Sequence, residues 1–268
     1  MLSPSIAPPC VARRTTSRRR SRAISRASGG DIDAATTTSA RDKAEGTGAS
    51  DFGTILNWRD LGSTPGTCVA PGRVYRTATP GKCSEADADV IVGPSTRVGR
   101  LLDLRSTDEF EATPGSLQSR FELRSFTRPS DAADPSTGAA STSAAIAALR
   151  ASITDDVDAG RAVRYHTPLL DYDRYYRSIY DRMQGTERLL AKVYTVQAKL
   201  YDDTNQRKLF VGKVNDGGLA LLNEVMVDGS GPEIRAALTV LSATTPSAAT
   251  AFYCKAGKDR TGLVAALV

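Results

Sequence analysis

A single histidine, His166, in 268 residues leaves no set of imidazoles to hold a metal, and the four cysteines (Cys10, Cys68, Cys83 and Cys254) form no C-x-x-C pair. A zinc site and a disulfide scaffold are both excluded on those grounds. No run approaches the roughly 20 apolar residues that a membrane span needs, so no integral membrane segment is expected. Aromatic residues make up only 6% of the chain, so the core must lean on Ala, Leu and Val within a hydrophobic content of 40%. Acid is absent from the first thirty residues, which hold seven arginines (Arg13, Arg14, Arg18, Arg19, Arg20, Arg22 and Arg26). Outside that segment 28 bases face 30 acids, so the net charge of +5 belongs to a tail. The body gives no case for binding nucleic acid.

Residues 1–30 also contain six Ser, two Thr and three Pro. The stretch Ile6-Ala7-Pro8-Pro9-Cys10-Val11-Ala12 is too short and too broken to be the apolar core of a secretory signal. A Ser- and Arg-rich, acid-free composition is the pattern of an organelle transit peptide. Prolines 4, 8 and 9 disfavour a helix, which points to a plastid in preference to a mitochondrion. A basic tail on a cytoplasmic protein that binds polyanions is the other reading. Residues 31–50 have no apolar periodicity and read as a disordered linker, leaving 51–268 as one domain.

Within the body, Gly72 to Thr77, Val98 to Leu104, Ala162 to His166 and Ala249 to Tyr253 are short apolar runs bounded by Gly, Pro or Ser, as buried strands are. Ser84 to Val92 opens with Ser and acids, a helix start. Asp171 to Tyr201 carries Tyr175, Tyr176, Ile179, Tyr180, Met183, Leu189, Leu190, Val193 and Val196 at helical spacing. Gly218 to Val227 and Pro232 to Leu241 fit two more helices, with Pro232 suited to a first turn. Residues 127–160, rich in Ala, Ser, Thr and Asp, read as a surface insertion with a short helix at Ala144–Arg150. Alternating strands and helices predict an α/β domain, a small mostly parallel sheet flanked by helices.

The chemistry sits at the end of the chain, in Tyr253-Cys254-Lys255-Ala256-Gly257-Lys258-Asp259-Arg260-Thr261-Gly262, between the last strand and a helical run. Five residues separating a Cys from an Arg can curl so that their backbone N–H groups converge on an anion at a helix N-terminus. Gly257 permits the backbone angles of such a curl. Arg260 presents a planar fork to two phosphate oxygens, and the positive field lowers the Cys254 pKa and favours the nucleophilic thiolate. Thr261 is placed to hydrogen-bond the sulfur. A Walker A loop is excluded, because Asp259 follows Gly257-Lys258 where Ser or Thr must hold magnesium. No cofactor and no metal are expected. A chance match or an inert core thiol is the plainer reading of Cys254, against which Lys255 and Lys258 argue.

This loop resembles the H-C-x-x-G-x-x-R-[ST] signature of the protein tyrosine phosphatase superfamily. Its AGKDRTG form is similar to the atypical bacterial members with dual protein and lipid activity. Three further elements follow that family's order: Asn57-Trp-Arg-Asp-Leu-Gly62, Gly72-Arg-Val-Tyr-Arg-Thr77 and Leu102-Asp-Leu-Arg-Ser106. The resemblance implies a parallel four-stranded sheet flanked by helices, with Cys254 as nucleophile and Arg260 on the equatorial oxygens. It implies that Lys255, Ala256, Gly257, Lys258 and Thr261 line the phosphate. Asp259 is then either the general acid or a structural carboxylate paired with Lys255, Lys258 or Arg59. Asp103, Asp171 and Asp173 are weaker acid candidates, since such acids commonly end strands or cap helices. Lys255 and Lys258 resemble the basic loop of phosphoinositide phosphatases, or simply strengthen the field.

Three features depart from the pattern. Tyr253 stands where the family has the histidine that helps set the thiolate pKa. The chain stops at Val268, eight residues after Arg260, where members continue, so a fragment is expected. The 127–160 segment has no family counterpart. The functional expectation is a cysteine-dependent phosphatase acting on phosphotyrosine or phosphoproteins. The alternatives are a phosphoinositide or inositol phosphate phosphatase, a binding pseudophosphatase, and a rhodanese-like sulfurtransferase suggested by Leu102 to Phe110. The last is disfavoured because Asp103 and Cys254 lie 151 residues apart. His166 reads as a structural histidine. Cys68 and Cys83 are candidates for pairing, or one of them for a thiol that resolves an oxidised Cys254.

Overall fold

The computed structural model describes residues 52–110, 115–129 and 135–268; the leader and linker expected over 1–50 lie outside them. Six strands form one sheet: β1 (Arg59–Asp60), β2 (Val74–Ala78), β3 (Val98–Asp103), β4 (Glu122–Ser125), β5 (Val163–His166) and β6 (Ala249–Cys254). Their spatial order is β1-β2-β6-β3-β5-β4. All neighbours run parallel except the two-residue β1, which is antiparallel to β2. The sheet therefore has two strands more than the expected four, one added at each edge. Both additions are short, and β4 is mostly exposed, so neither carries the apolar run by which buried strands are recognised.

The helices are α1 (Glu85–Val92), α2 (Pro135–Asp158), α3 (Tyr172–Asp181), α4 (Gly185–Leu200), α5 (Thr204–Gly229), α6 (Gly231–Ser242) and α7 (Asp259–Leu267). Among the described residues no helix is long and apolar enough to cross a membrane. Ser84 caps α1 by accepting a 3.1 Å bond from the Asp87 N–H, and Pro232 occupies the first turn of α6, where its missing N–H costs nothing.

Successive strand residues serve opposite faces. Val74, Leu102, Phe252 and Cys254 join one core with Ile153 of α2, Val240 of α6 and Val264 of α7. Tyr75, Leu101, Ala251 and Tyr253 join another with Ala88 and Ile91 of α1 and with Ile55 and Trp58. Both faces are covered, so β6 is buried along its whole length, as strands inside a parallel sheet are. A third cluster, including Ile179, Met183, Ala191, Phe210 and Val225, holds α3, α4 and α5 together.

The Ala/Ser/Thr-rich segment is not a loose insertion with a seven-residue helix. It forms the 24-residue α2, which crosses over between β4 and β5, packs on α6 and buries Ile146, Ile153 and Asp156. Cys83 keeps a free, buried thiol, so it is not paired with Cys68, and burial first and then Asp87 push it up to about 11. A thiol so protonated is a poor partner for redox exchange.

Candidate active site

Strand β6 is last in sequence yet lies between β2 and β3. Its C-terminal end thus opens where chain connections diverge, the place where parallel α/β sheets bind ligands. Cys254 ends the strand and is buried; Lys255 to Lys258 form the loop, and α7 starts at Asp259.

The loop is fixed through its carbonyls. The Asn57 side-chain amide donates to the Ala256 carbonyl at 2.9 Å, and the Arg76 guanidinium to the Gly257 carbonyl at 2.9 Å. The Thr79 N–H donates to the Lys255 carbonyl at 3.2 Å, and the Gly262 N–H to the Lys258 carbonyl at 2.7 Å. All four carbonyls are thereby committed to donors outside the loop. Among the described residues the N–H groups of Lys255, Ala256, Gly257, Asp259 and Arg260 donate to no backbone carbonyl and remain available to an anion, while the Lys258 N–H is turned to the Cys254 sulfur. Gly257 has φ of +65°, and a Cβ there would lie 2.5 Å from the Ala78 nitrogen and the Thr77 carbonyl. Only glycine lets the loop press against the end of β2.

Burial pushes the Cys254 thiol up, but the Thr261 hydroxyl and N–H, the Arg260 charge and the Lys258 N–H outweigh it and hold the pKa below the ordinary thiol value. The Thr261 hydroxyl is enclosed and has no close hydrogen-bond partner among the described residues; its influence on the sulfur lowers the thiol pKa. Arg260 is ion-paired with Glu109 of the loop after β3. Glu109 also accepts from the Ser106 N–H and hydroxyl, each at 3.3 Å. Burial raises the Glu109 pKa, and the Arg260 contact more than reverses this, so the carboxylate stays charged. Glu109 was not among the residues singled out by sequence. The loop that resembles a rhodanese turn supplies this carboxylate, and the available signal was an acid just past the C-terminal end of a strand.

The remaining acids separate cleanly. Asp103 is buried and accepts from Arg105 at 2.9 and 3.0 Å, from Arg164 at 2.8 Å and from the Tyr253 hydroxyl at 3.0 Å. Burial raises its pKa, but the two guanidiniums prevail and keep it low, which removes it as a proton donor. Asp171 caps α3 through the Asp173 N–H at 3.2 Å. Asp259 is half-buried at the start of α7 and makes no ion pair among the described residues. The pairing with Lys255, Lys258 or Arg59 is not formed, and both lysines are exposed.

Tyr253 points to the face opposite Cys254. Its hydroxyl donates to Asp103 and accepts from Gln118 at 3.1 Å, and burial raises its pKa strongly. It is a packed, fully bonded strand aromatic and does not contact the sulfur from the strand. His166 is buried, packs at a tilt against Phe110 with ring centroids 4.3 Å apart, and its Nε2 lies 2.9 Å from the Arg105 carbonyl. A carbonyl only accepts, so that nitrogen carries the proton. Burial lowers the His166 pKa, and the neutral ring steadies the loop that presents Glu109.

A thiol of lowered pKa at the head of a loop whose carbonyls are bonded elsewhere, followed by an ion-paired guanidinium, suits an enzyme class that handles phosphate monoesters. The family model described as the tyrosine phosphatase family matches residues 50–268. The chain belongs to that family and is a protein-tyrosine-phosphatase-like phosphoric monoester hydrolase. Among curated proteins the chain has no match.

Proposed function

We propose that the protein removes phosphate from phosphotyrosine and related phosphoproteins through a cysteinyl-phosphate intermediate. The supporting observation is the loop in which every carbonyl from Lys255 to Lys258 is held outward around a thiol of lowered pKa. The Cys254 sulfur attacks phosphorus, forming the P–S bond as the ester P–O bond breaks. Arg260, aligned by Glu109, and the N–H groups of Lys255, Ala256, Gly257, Asp259 and Arg260 carry the charge that builds on the equatorial oxygens. Asp259 protonates the leaving oxygen. In the second step Asp259 takes a proton from water, the water oxygen bonds phosphorus, and the P–S bond breaks. The Thr261 hydrogen bond stabilises the departing thiolate.

A second reading is favoured by Lys255 and Lys258, both exposed and without an ion pair among the described residues. Flanking the reacting phosphate, they suit additional phosphates on an inositol ring, which makes phosphoinositides the alternative substrate class. We also propose a plastid address in residues 1–30, supported by their composition alone; a fluorescent protein fused behind residues 1–50 tests it, and diffuse cytoplasmic signal would overturn it.

Release of p-nitrophenol from its phosphate ester by the full chain, with EDTA present, tests the phosphatase reading. Turnover is expected to resist EDTA and to fall roughly 10⁴-fold or more in Cys254→Ser. Because the folded-state pKa of Cys254 lies below its unfolded value, the thiolate is retained on the acidic side of the ordinary thiol range. Its contribution is present above the unfolded pKa and lost as pH falls through the folded one. The acidic limb of kcat/KM is therefore expected below about pH 8.5, with iodoacetate labelling following the same curve. A folded wild-type protein without turnover would identify a binding pseudophosphatase. Rates on phosphotyrosine peptides against soluble inositol phosphates separate the two substrate classes.

A further inference from the structure

Helix α4 carries its apolar residues on the wrong side for a core. Leu189, Val193, Val196 and Leu200 are 64%, 54%, 58% and 68% exposed, while Ala191 on the opposite side is fully buried against α3 and α5. At 3.6 residues per turn the four exposed side chains fall within an arc of about 60°, so they form one continuous ridge. Arg188, Lys192 and Lys199, all exposed, fall within about 40° along one flank of that ridge. Lys192 and Lys199 make no ion pair among the described residues, and the one acid of the helix, Glu187, is occupied by Lys213 at 2.7 Å. Tyr201, 84% exposed, ends the ridge. Beside Val196 a groove of about 740 Å³ is lined by Tyr180 and Phe210, with Lys192 and Lys199 on its wall together with Asp173 and Asp203.

An apolar ridge with a cationic row on its flank is the pattern of a helix that lies in the plane of a bilayer interface. The charges meet anionic headgroups while the ridge enters the acyl boundary, and the Lys stems can lie along apolar surface with their ammonium groups in water. A partner protein helix would satisfy the ridge equally, but α4 itself sets only cations along the flank, its one acid being held by Lys213 and the neighbouring Asp203 by Arg207, and a row of one sign favours a uniformly anionic surface. We propose that α4 docks the protein on anionic lipid membranes. The segment α3–α5 leaves the C-terminal end of β5, the same end of the sheet that bears Cys254, and α5 packs against α7.

Co-sedimentation of the full chain with vesicles tests this independently of catalysis. Binding is expected to phosphatidylcholine vesicles containing about 30 mol % phosphatidylglycerol, weaker in salt, and not to phosphatidylcholine alone. The arginines of residues 1–30 also attract anionic lipid, so the comparison is repeated with all seven changed to Gln. In that background Val193→Ser/Val196→Ser and Lys192→Glu/Lys199→Glu should each lower the partition coefficient about tenfold or more, with unchanged circular dichroism. Cys254→Ser should bind as well as the wild type, so failure of the phosphatase reading would leave this one standing. Equal binding by the wild type and both double variants overturns the proposal, as does absence of binding to the anionic vesicles. A dimer that dissociates in Val193→Ser/Val196→Ser, without vesicle binding, makes the ridge a self-association face and also overturns it.

Discussion

The phosphate loop and the α3–α5 excursion lie at the same end of one sheet and are held in contrasting ways. In the loop, Asn57, Arg76 and Thr79, far away in sequence, fasten the carbonyls of residues 256, 257 and 255, and β2 leaves no room for a side chain at 257. In the excursion a small cluster of its own joins three helices and leaves an apolar ridge in solvent. The loop is a place where every carbonyl has been assigned to a donor while N–H groups are left without a carbonyl. The ridge is a place where the apolar surface exceeds what the fold itself can bury. Sites of chemistry and surfaces for docking are thus recognised by different surpluses: polar donors left unanswered in one, apolar surface in the other.

The sharpest test of that contrast is Arg260→Lys. A lysine keeps the charge but loses the planar fork, and kcat/KM on p-nitrophenyl phosphate is expected to drop about 10²–10³-fold with little change in melting temperature. Gly257→Ala comes next. The backbone conformation costs about 1–3 kcal/mol and the contact with Ala78 adds to it, so both the thermal midpoint and turnover should fall. A stable, active Gly257→Ala protein would show that β2 does not confine the loop.

Glu109→Gln removes the charge that orients Arg260 without removing the hydrogen-bonding shape. A charge-assisted bond contributes about 1.5–3 kcal/mol, so kcat/KM should fall about 10–100-fold. The loss should lie mainly in KM, and Glu109→Asp should restore part of it. An unchanged KM would make the ion pair incidental. The smallest effects separate the buried strand from the exposed ridge. Tyr253→Phe leaves Asp103 and Gln118 each short of a partner and should cost about 1–2 kcal/mol in urea unfolding, while Val193→Ser should stay within about 0.5 kcal/mol. Reversal of that order would mean that the ridge is buried in solution.

Much of the fold was legible because its signals are local. The strands at 74–78, 98–103, 163–166 and 249–254 are apolar runs that sheet neighbours on both sides require. Helix α1 begins at the serine that caps it, and α6 places its proline in the first turn. Helix α2 was underestimated because its surface is Ala, Ser and Thr, with few large apolar residues to mark a face. It is helical across 24 residues with Ile146 and Ile153 buried and Asp156 held by Arg161, Tyr165 and, 32 residues away, Arg124; the burial and the Arg124 contact are set by tertiary neighbours. Tyr253 looked like an altered catalytic position, yet strand alternation turns it to the face away from Cys254.

The Cys254-to-Arg260 spacing, the glycine that lets the loop turn, and the strand and helix on either side are all written locally in the chain. These depend on neighbours in the chain, where backbone angles and hydrogen-bond geometry act over a few residues. Tertiary structure alone decided that Glu109, 151 residues before Arg260, aligns the guanidinium, that Asn57 and Arg76 hold the carbonyls outward, and that α4 faces its leucines and valines to solvent. Those outcomes depend on which strands become neighbours and which helix faces are already covered, and pairing over such separations is set by the packing of the whole sheet.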